Sequence, residues 1–205
     1  MILADDFDEA YAAVEEERQF LPFIGGEAAQ IELWASAGKR CLGVPGSAAL
    51  DPWAAAEGMG IRVLGLAHFA TLDPSIREPL VADSESWSGG AIRSEDDYLV
   101  ILNPLHDCTR QRATLAEELT HIVMGHEPSV LDPIAGTRTH NHEIEKQAYE
   151  VGGAMLLPYS QLFWRVKSRS TCTSIAEHYE LSEPFVRYRI NRCGLRRMYD
   201  KAVAA

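Results

Sequence analysis

The chain has 205 residues, of which 46% are hydrophobic and 24% charged, and its formal net charge is -11. This composition is that of an ordinary globular protein and excludes a disordered chain. The acidic balance disfavours nucleic acid as a partner for the whole molecule. No apolar stretch approaches the roughly 20 residues needed to span a bilayer, so no membrane partner is expected.

The cysteines and the first residues bear on the compartment. The four cysteines lie far apart in the chain, which argues against a disulfide framework and against a cysteine zinc site. Met1-Ile2-Leu3 is followed at once by acidic residues, so the basic segment and apolar run of a secretory signal are absent from this stretch. We therefore expect a soluble cytoplasmic protein with reduced thiols.

Two amphipathic helices are predicted in the N-terminal part, over residues 5–19 and 26–38. Each has one apolar stripe, formed by Phe7, Ala10, Tyr11 and Val14 in the first and by Ala28, Ile31, Trp34 and Ala35 in the second. Glycines and a proline within residues 43–46 then break the chain. This pattern predicts a helical arm over residues 1–45 and a short linker to the main domain.

A short helix and three strands are predicted after this linker. The helix begins at Asp51-Pro52-Trp53 and ends at Gly58, and the strands cover residues 61–64, 87–92 and 98–102. The middle strand contains Ser88-Gly89-Gly90. Glycine inside a strand indicates a bulge, an edge or a close approach of backbone.

The next helix carries a motif over residues 117–121, which are Glu-Glu-Leu-Thr-His. In the familiar motif His-Glu-x-x-His, two histidines one turn apart hold zinc and the glutamate acts as a base on water. Glu117 and His121 take the two ligand positions here, and Glu118 takes the position of the base. The sequence therefore indicates a metal site in which a carboxylate replaces one imidazole. The alternative is an ordinary solvated helix face.

This helix is predicted to be amphipathic. The motif residues share one side, and the opposite side carries Leu115, Leu119 and Ile122. Thr114 is the predicted N-cap. The apolar side would pack on the core, while the acids and the imidazole would face a cleft.

A further helix is predicted over residues 143–157. Its small residues Ala148, Gly152 and Gly153 would allow a neighbouring helix to approach closely. Glu145 lies one turn before them, where it could reach the motif helix and supply a third ligand, because catalytic zinc typically takes three protein ligands. The alternative for Glu145 is a surface glutamate.

These segments together resemble the ImmA/IrrE family of metallopeptidases. The resemblance rests on the block from Thr114 to His121, on Glu145 to Ala148 running into Leu156-Leu157-Pro158, and on the two strand segments Ser88-Gly89 and Ile101-Leu102-Asn103. The predicted fold is α+β and zincin-like, with a small mixed sheet packed on a pair of active-site helices. The expected domains are the helical N-terminal arm 1–45, the metallopeptidase-like domain 51–160 and the helical C-terminal tail 161–205.

The resemblance implies metal-dependent cleavage of a protein, with Glu118 as general base and with His121 and Glu145 as ligands. The family's usual first histidine is Glu117 in this chain. Zinc is the expected cofactor, and a ligand set with two carboxylates extends the choice to manganese or iron. Such a set also makes the metal a weaker Lewis acid. Because the family is linked to cleavage of phage or stress-response repressors, the expected partner is a regulatory protein such as a transcriptional repressor.

Further site residues are expected around this centre. An extended substrate could pair with the edge of the strand that contains Ser88 and Gly89. A second donor, for the oxyanion or for a ligand, is also expected. Its candidates are His126, His140, His142 and Tyr149, among which the sequence does not choose.

The C-terminal tail supports a competing hypothesis. After Pro158 the chain has nine basic residues against four acidic ones, a balance of about +5. Residues 174–182 and 185–190 have a helix-turn-helix pattern that would place Arg187 and Arg189 on a recognition helix. Three classes of function therefore remain: a metallopeptidase, a metal-free pseudopeptidase that binds or senses a regulatory protein, and a DNA-binding regulator.

Overall fold

The structure, a computed structural model, describes residues 4–15, 24–93, 97–127, 131–132, 137–138 and 141–204. The helices are α1 (Ala4–Glu15), α2 (Gly26–Cys41), α3 (Pro52–Gly58), α4 (Leu66–Phe69), α5 (Pro74–Ala82), α6 (Cys108–Val123), α7 (His142–Leu156), α8 (Tyr159–Lys167), α9 (Cys172–Tyr179), α10 (Glu183–Arg192) and α11 (Arg196–Val203). The strands are β1 (Arg62–Leu64), β2 (Gly89–Arg93), β3 (Tyr98–Leu102), β4 (Leu131–Asp132) and β5 (Thr137–Arg138).

Three strands form a mixed sheet in the order β1-β3-β2. β1 runs parallel to β3, with Val63 opposite Val100, and β2 runs antiparallel to β3, with Ala91 opposite Val100. The central strand β3 buries Val100 and Leu102, whereas β2 lies at one edge of the sheet. The predicted α+β fold with a small mixed sheet and helical terminal regions is confirmed.

Several predicted elements agree closely with the observed ones. β3 covers the predicted residues 98–102, and α7 begins one residue before the predicted helix 143–157. The apolar stripe of α1 is also confirmed, because Phe7 and Val14 are buried. The predicted end of that first helix, residues 16–19, falls outside the described residues.

The predicted start of α6 is wrong. The helix begins at Cys108, and the side chain of Asp107 caps it by accepting a hydrogen bond from the backbone N–H of Arg110 at 2.9 Å. Thr114, the predicted N-cap, lies in the second turn and is buried. The first turns of α6 carry mostly polar residues, so the apolar periodicity used for the prediction begins only at Leu115.

The chain between β1 and β2 contains helices that were not predicted, α4 and α5. Asp73 caps α5 through a hydrogen bond from the backbone N–H of Ser75 at 2.8 Å, and Pro74 is the first helical residue. Aspartate followed by proline is a recognised helix start, so a local signal was present. α5 is short and carries Pro79 inside it, which obscures its helical pattern.

A cluster of buried side chains joins the terminal regions to the sheet. It takes Ile31 from α2, Val100 from β3, Leu119 from α6, Met155 from α7 and Val186 from α10. The apolar faces of these helices therefore pack against one another and against the sheet. Within the described part of the chain, no helix is long and apolar enough to cross a membrane.

Candidate metal centre

α6 presents its two faces as the sequence predicts. Leu115 and Leu119 are fully buried, and Ile122 is 6% exposed. Glu117, Glu118 and His121 lie on the other side, are partly exposed and line a cleft. The core therefore fixes the position of α6 through its apolar face, and the motif residues are presented together to the cleft.

Close packing of α6 and α7 depends on Gly152. A Cβ atom at this position would lie 3.0 Å from the carbonyl oxygen of Ala116 and 3.1 Å from the backbone nitrogen of Glu117. Ala148, one turn earlier, is fully buried. Gly153 instead faces α10, since its Cβ would lie 3.3 Å from Cζ of Phe185. The small residues of α7 thus let it approach a helix on each of two sides.

This packing brings the three predicted ligand residues together. Each of Glu117, His121 and Glu145 offers one ligand atom, and these atoms all lie within 4.8 Å of one another. Nε2 of His121 is 3.4 Å from Oε2 of Glu145, a contact between α6 and α7. One imidazole nitrogen and two carboxylate oxygens are donors that zinc accepts, so the side chains fit a divalent metal.

Glu117 is partly buried and lies near two other carboxylates. Burial, followed by the charges of Glu118 and Glu145, raises its pKa from 4.5 to about 7. Three carboxylates at close range disfavour a full set of negative charges. A divalent cation is the partner that would offset this repulsion and favour the ionised form of Glu117.

The cleft around these residues has a volume of about 490 Å³. One wall is β2, from which the alternate residues Gly89, Ala91 and Arg93 line the cleft. Ser88, the residue before the strand, lines it as well. Gly89 is required for close packing, because a Cβ atom there would lie 2.6 Å from Cγ2 of Thr114 on α6. Of the three alternatives for the glycines, the structure shows an edge strand and, at Gly89, a close approach as well, because the same Cβ atom would lie 3.0 Å from the carbonyl oxygen of Ile101.

Comparison with known protein families agrees with this geometry. The model of peptidase family M78, described as the IrrE N-terminal-like domain, matches residues 76–191. The match covers more than half of the chain. The chain belongs to this family of IrrE-like peptidases. No curated protein and no solved structure matches the chain.

The structure separates the four predicted second donors of this IrrE-like peptidase. Of the described residues, the cleft lining includes His126 but neither His142 nor Tyr149. His142 is exposed in the first turn of α7. The ring of Tyr149 packs against Phe185 and Tyr188, and burial, followed by the charge of Glu117, raises its pKa. His140 lies outside the described residues.

Two arginines are not predicted from the sequence, one that lines the cleft and one beside it. Arg93 lies over the ring of Tyr98, with its guanidinium carbon 5.9 Å from the ring centroid, and both line the cleft. Arg110 donates a hydrogen bond to Oγ of Ser88 at 3.1 Å and so ties α6 to the start of β2. The alternation of side chains along β2 is the signal that could have found Arg93, two residues beyond Ala91.

The C-terminal tail has the two helices of the competing helix-turn-helix hypothesis, but of the two arginines named for a recognition helix only Arg187 is exposed. The two helices, α9 and α10, are separated by Glu180 in the left-handed conformation at a φ of 54°. Arg189 is only 2% exposed, donates to Leu157 O at 3.0 Å and forms an ion pair with Glu32 of α2. Its assignment to DNA contact is wrong, because its charge is used inside the protein.

Proposed function

We propose that this IrrE-like protein is a metal-dependent endopeptidase that acts on a regulatory protein such as a transcriptional repressor. The observation that carries the proposal is the convergence of Glu117, His121 and Glu145, whose ligand atoms lie within 4.8 Å of one another. Membership of a peptidase family supports the same reaction class. Because this centre lines a cleft rather than a closed cavity, a protein segment could reach it.

In this proposal Glu117, His121 and Glu145 hold the metal. A bound divalent metal supplies Lewis acidity, which polarises the scissile carbonyl and lowers the pKa of water. Zinc is the proposed ion, and manganese or iron are the alternatives that an oxygen-rich donor set accepts.

Glu118 is the proposed general base. It follows Glu117 on α6 and lines the cleft. Its carboxylate would take a proton from the water that attacks the scissile carbonyl and return that proton to the leaving amine nitrogen. Both proton transfers require a carboxylate that faces the cleft, a position that Glu118 occupies.

β2 is the proposed binding strand for the substrate. It lies at the edge of the sheet, and Gly89 and Ala91 present little side chain to the cleft. An extended peptide would pair with this edge through backbone hydrogen bonds, as in other strand-addition complexes. Backbone recognition suits cleavage of an exposed or unfolded segment in a regulatory protein.

We further propose that the protein acts in the cytoplasm. Its four cysteines are free thiols in the structure, and two of them, Cys172 and Cys193, are buried. Unpaired cysteines are typical of a reducing compartment, where repressors also act.

The test of the proposed base separates cleavage from metal binding. We expect Glu118→Gln to lower cleavage of unfolded casein and of a quenched-peptide library by about 100-fold or more, because proton transfer contributes that much. Its metal content should equal that of the wild type. Glu127→Gln, at an exposed residue of the same cleft, is the matched control and should cleave normally. Unchanged cleavage by Glu118→Gln contradicts the proposal.

A metal-free pseudopeptidase is the second candidate, and one observation favours it. The pKa of Glu117 is about 7 without a metal, so near neutral pH this site can exist with Glu117 protonated. The cleft would then bind a regulatory protein without cutting it. Binding that is unaffected by a chelator, in a protein that purifies without metal, would support this candidate over the endopeptidase.

A further inference from the structure

His126 lies directly against a proposed ligand without belonging to the ligand set. Its Nδ1 is 3.1 Å from Nδ1 of His121, and the two rings cross edge to face with their centroids 5.0 Å apart. The other nitrogen of His121, Nε2, faces Glu145 at 3.4 Å. The two nitrogens of His121 therefore have different neighbours, a second proposed ligand on one side and His126 on the other.

Metal binding through Nε2 of His121 would fix the proton arrangement of this pair. A neutral imidazole that offers Nε2 to a metal carries its proton on Nδ1, and that proton needs an acceptor. Nδ1 of His126 lies at hydrogen-bond distance and can accept when the His126 proton is on Nε2. When Nε2 of His121 holds a metal, the contact thus fits one arrangement, in which His121 donates and His126 accepts.

The chain builds this contact with a Schellman turn at the end of α6. Gly125 has a φ of 65°, a conformation that glycine adopts without strain. The backbone N–H of Gly125 donates to Ile122 O at 3.2 Å, and that of His126 donates to His121 O at 3.0 Å. These are the two hydrogen bonds of the motif. These hydrogen bonds reverse the direction of the chain after α6, so that His126 lies beside His121.

His126 is also tied to α7. Its imidazole forms a hydrogen bond with the side chain of Gln147, which lies two residues after Glu145. Contacts with His121 on α6 and with Gln147 on α7 restrict the rotation of its ring. The acceptor is therefore held in place relative to both helices of the metal centre.

We propose that His126 is a positioning residue that fixes the ring orientation and the Nδ1 proton of His121 for metal binding through Nε2. The inference rests on the proposed function, because it needs His121 to be a metal ligand. Partners of this kind typically contribute roughly 10–100-fold to metal affinity.

Two substitutions distinguish the acceptor from the bulk of the side chain. His126→Phe keeps an aromatic ring and removes the acceptor, whereas His126→Asn places an amide oxygen near the position of Nδ1. We expect His126→Phe to weaken zinc binding roughly 10–100-fold and His126→Asn to stay within about threefold of the wild type. The measurement is competition for Zn²⁺ with a chromophoric chelator, on proteins whose metal-free thermal unfolding shows that they are folded.

A spectroscopic measurement supplies an independent result. In the zinc-loaded wild type, ¹⁵N-edited NMR should show a hydrogen-bonded Nδ1 proton on His121. This signal should persist in His126→Asn and be lost or shifted in His126→Phe. A side chain that only fills space would leave the signal of His121 unchanged.

The outcomes separate this inference from the proposed function. Equal zinc affinity in the wild type and His126→Phe removes the positioning role and leaves the endopeptidase proposal standing. Equal weakening in His126→Phe and His126→Asn also overturns it, because packing rather than hydrogen bonding would then be responsible. If the wild type itself binds no zinc, the proposed function fails, and the positioning role fails with it.

Discussion

Glu117 belongs to the candidate metal centre, and its ionisation destabilises the metal-free folded state. Its carboxylate lies close to His121 and Glu145, as a ligand must, but burial and two neighbouring acids raise its pKa to about 7. The metal-free protein therefore holds a carboxyl group that resists ionisation at neutral pH. A metal would reverse this preference, because ligation requires the deprotonated form.

The first prediction concerns the stability of the metal-free protein. The unfolded chain releases the Glu117 proton near pH 4.5, whereas the folded protein keeps it to about pH 7. The folded state thus binds more protons between these two pH values. The contribution of Glu117 to the free energy of unfolding is therefore fully present below pH 4.5 and is lost as the pH rises through about 7. Glu117→Gln cannot ionise and should exceed the wild type by on the order of 2 kcal/mol at pH 8.

Urea unfolding in the presence of a chelator measures this difference. The gap between Glu117→Gln and the wild type should close below pH 4.5, the ordinary carboxyl pKa. Glu127→Gln, at an exposed position of the same cleft, should follow the wild type at every pH. A wild type that is as stable as Glu117→Gln at pH 8 would show that Glu117 ionises without cost.

A second prediction at the residue scale concerns metal preference. Glu117→His replaces an oxygen ligand by nitrogen, and imidazole favours zinc over hard ions such as manganese. We expect the ratio of zinc to manganese affinity to rise by about tenfold or more, because ligand type controls this choice. Glu127→His controls for an added histidine outside the ligand set. Titration with both ions gives the ratio, and an unchanged ratio removes Glu117 from the ligand set.

At the scale of elements, the candidate metal centre depends on the packing of two helices. Glu117 and His121 belong to α6 and Glu145 to α7, and Gly152 sets how closely the two helices approach. The approach of backbone to backbone leaves no flexible side chain that could move aside. The distance from Glu145 to Glu117 and His121 therefore depends on Gly152, which is not itself a proposed ligand.

Gly152→Ala tests this dependence. The added Cβ would meet the backbone of Ala116 and Glu117 at 3.0–3.1 Å. We expect a loss of about 1–3 kcal/mol in unfolding free energy from overpacking, and weaker metal binding because Glu145 is displaced. Gly153→Ala gains the same helix propensity but faces the ring of Phe185, so metal binding should be retained. Normal metal binding by Gly152→Ala contradicts this role of the packing.

Sequence patterns predict elements where burial is periodic and fail where it is not. β3 is mostly apolar and α7 has an apolar stripe, so both were predicted almost to the residue. α6 begins with polar turns, and its cap, Asp107, lies outside the apolar pattern. At both missed helix starts the local signal is a capping aspartate, Asp107 or Asp73. A search for apolar periodicity does not detect such a residue.

The same limit applies to the site. Glu145 could be proposed as a ligand because the small residues Ala148 and Gly152, in the same helix, indicate that a neighbouring helix packs closely against it. His126 could only be named among four candidates, because its contact with His121 depends on a turn at Gly125 and on a hydrogen bond to Gln147. Such contacts depend on backbone geometry that residue spacing does not specify.

At the scale of the whole molecule, a buried ion pair connects the N-terminal and C-terminal regions. Glu32 of α2 pairs with Arg189 of α10, and its second carboxylate oxygen accepts the backbone N–H of Tyr159 at 2.9 Å. Arg189 also donates to Leu157 O, at the end of α7. The helix that supplies Glu145 is thus held at its far end by residues from both terminal regions.

We predict that Arg189→Ala destabilises the protein by about 3 kcal/mol or more, because it leaves the charge of Glu32 buried without its partner. The matched control is Arg187→Ala, two residues earlier in α10, where an exposed pair with Glu183 is lost. That variant should lose less than about 1 kcal/mol. Equal losses in denaturant unfolding would show that the buried pair does not hold these regions together.

The metal content of the purified protein tests the central claim most directly. The wild type, prepared without chelator, should contain about one divalent ion per chain. Glu117→Ala and Glu145→Ala should lose most of it while remaining folded, and Glu143→Ala, at an exposed glutamate in the same turn of α7 as Glu145, should retain it. A wild-type protein that contains no metal, or variants that retain it, would contradict the assignment of Glu117, His121 and Glu145 as a metal centre.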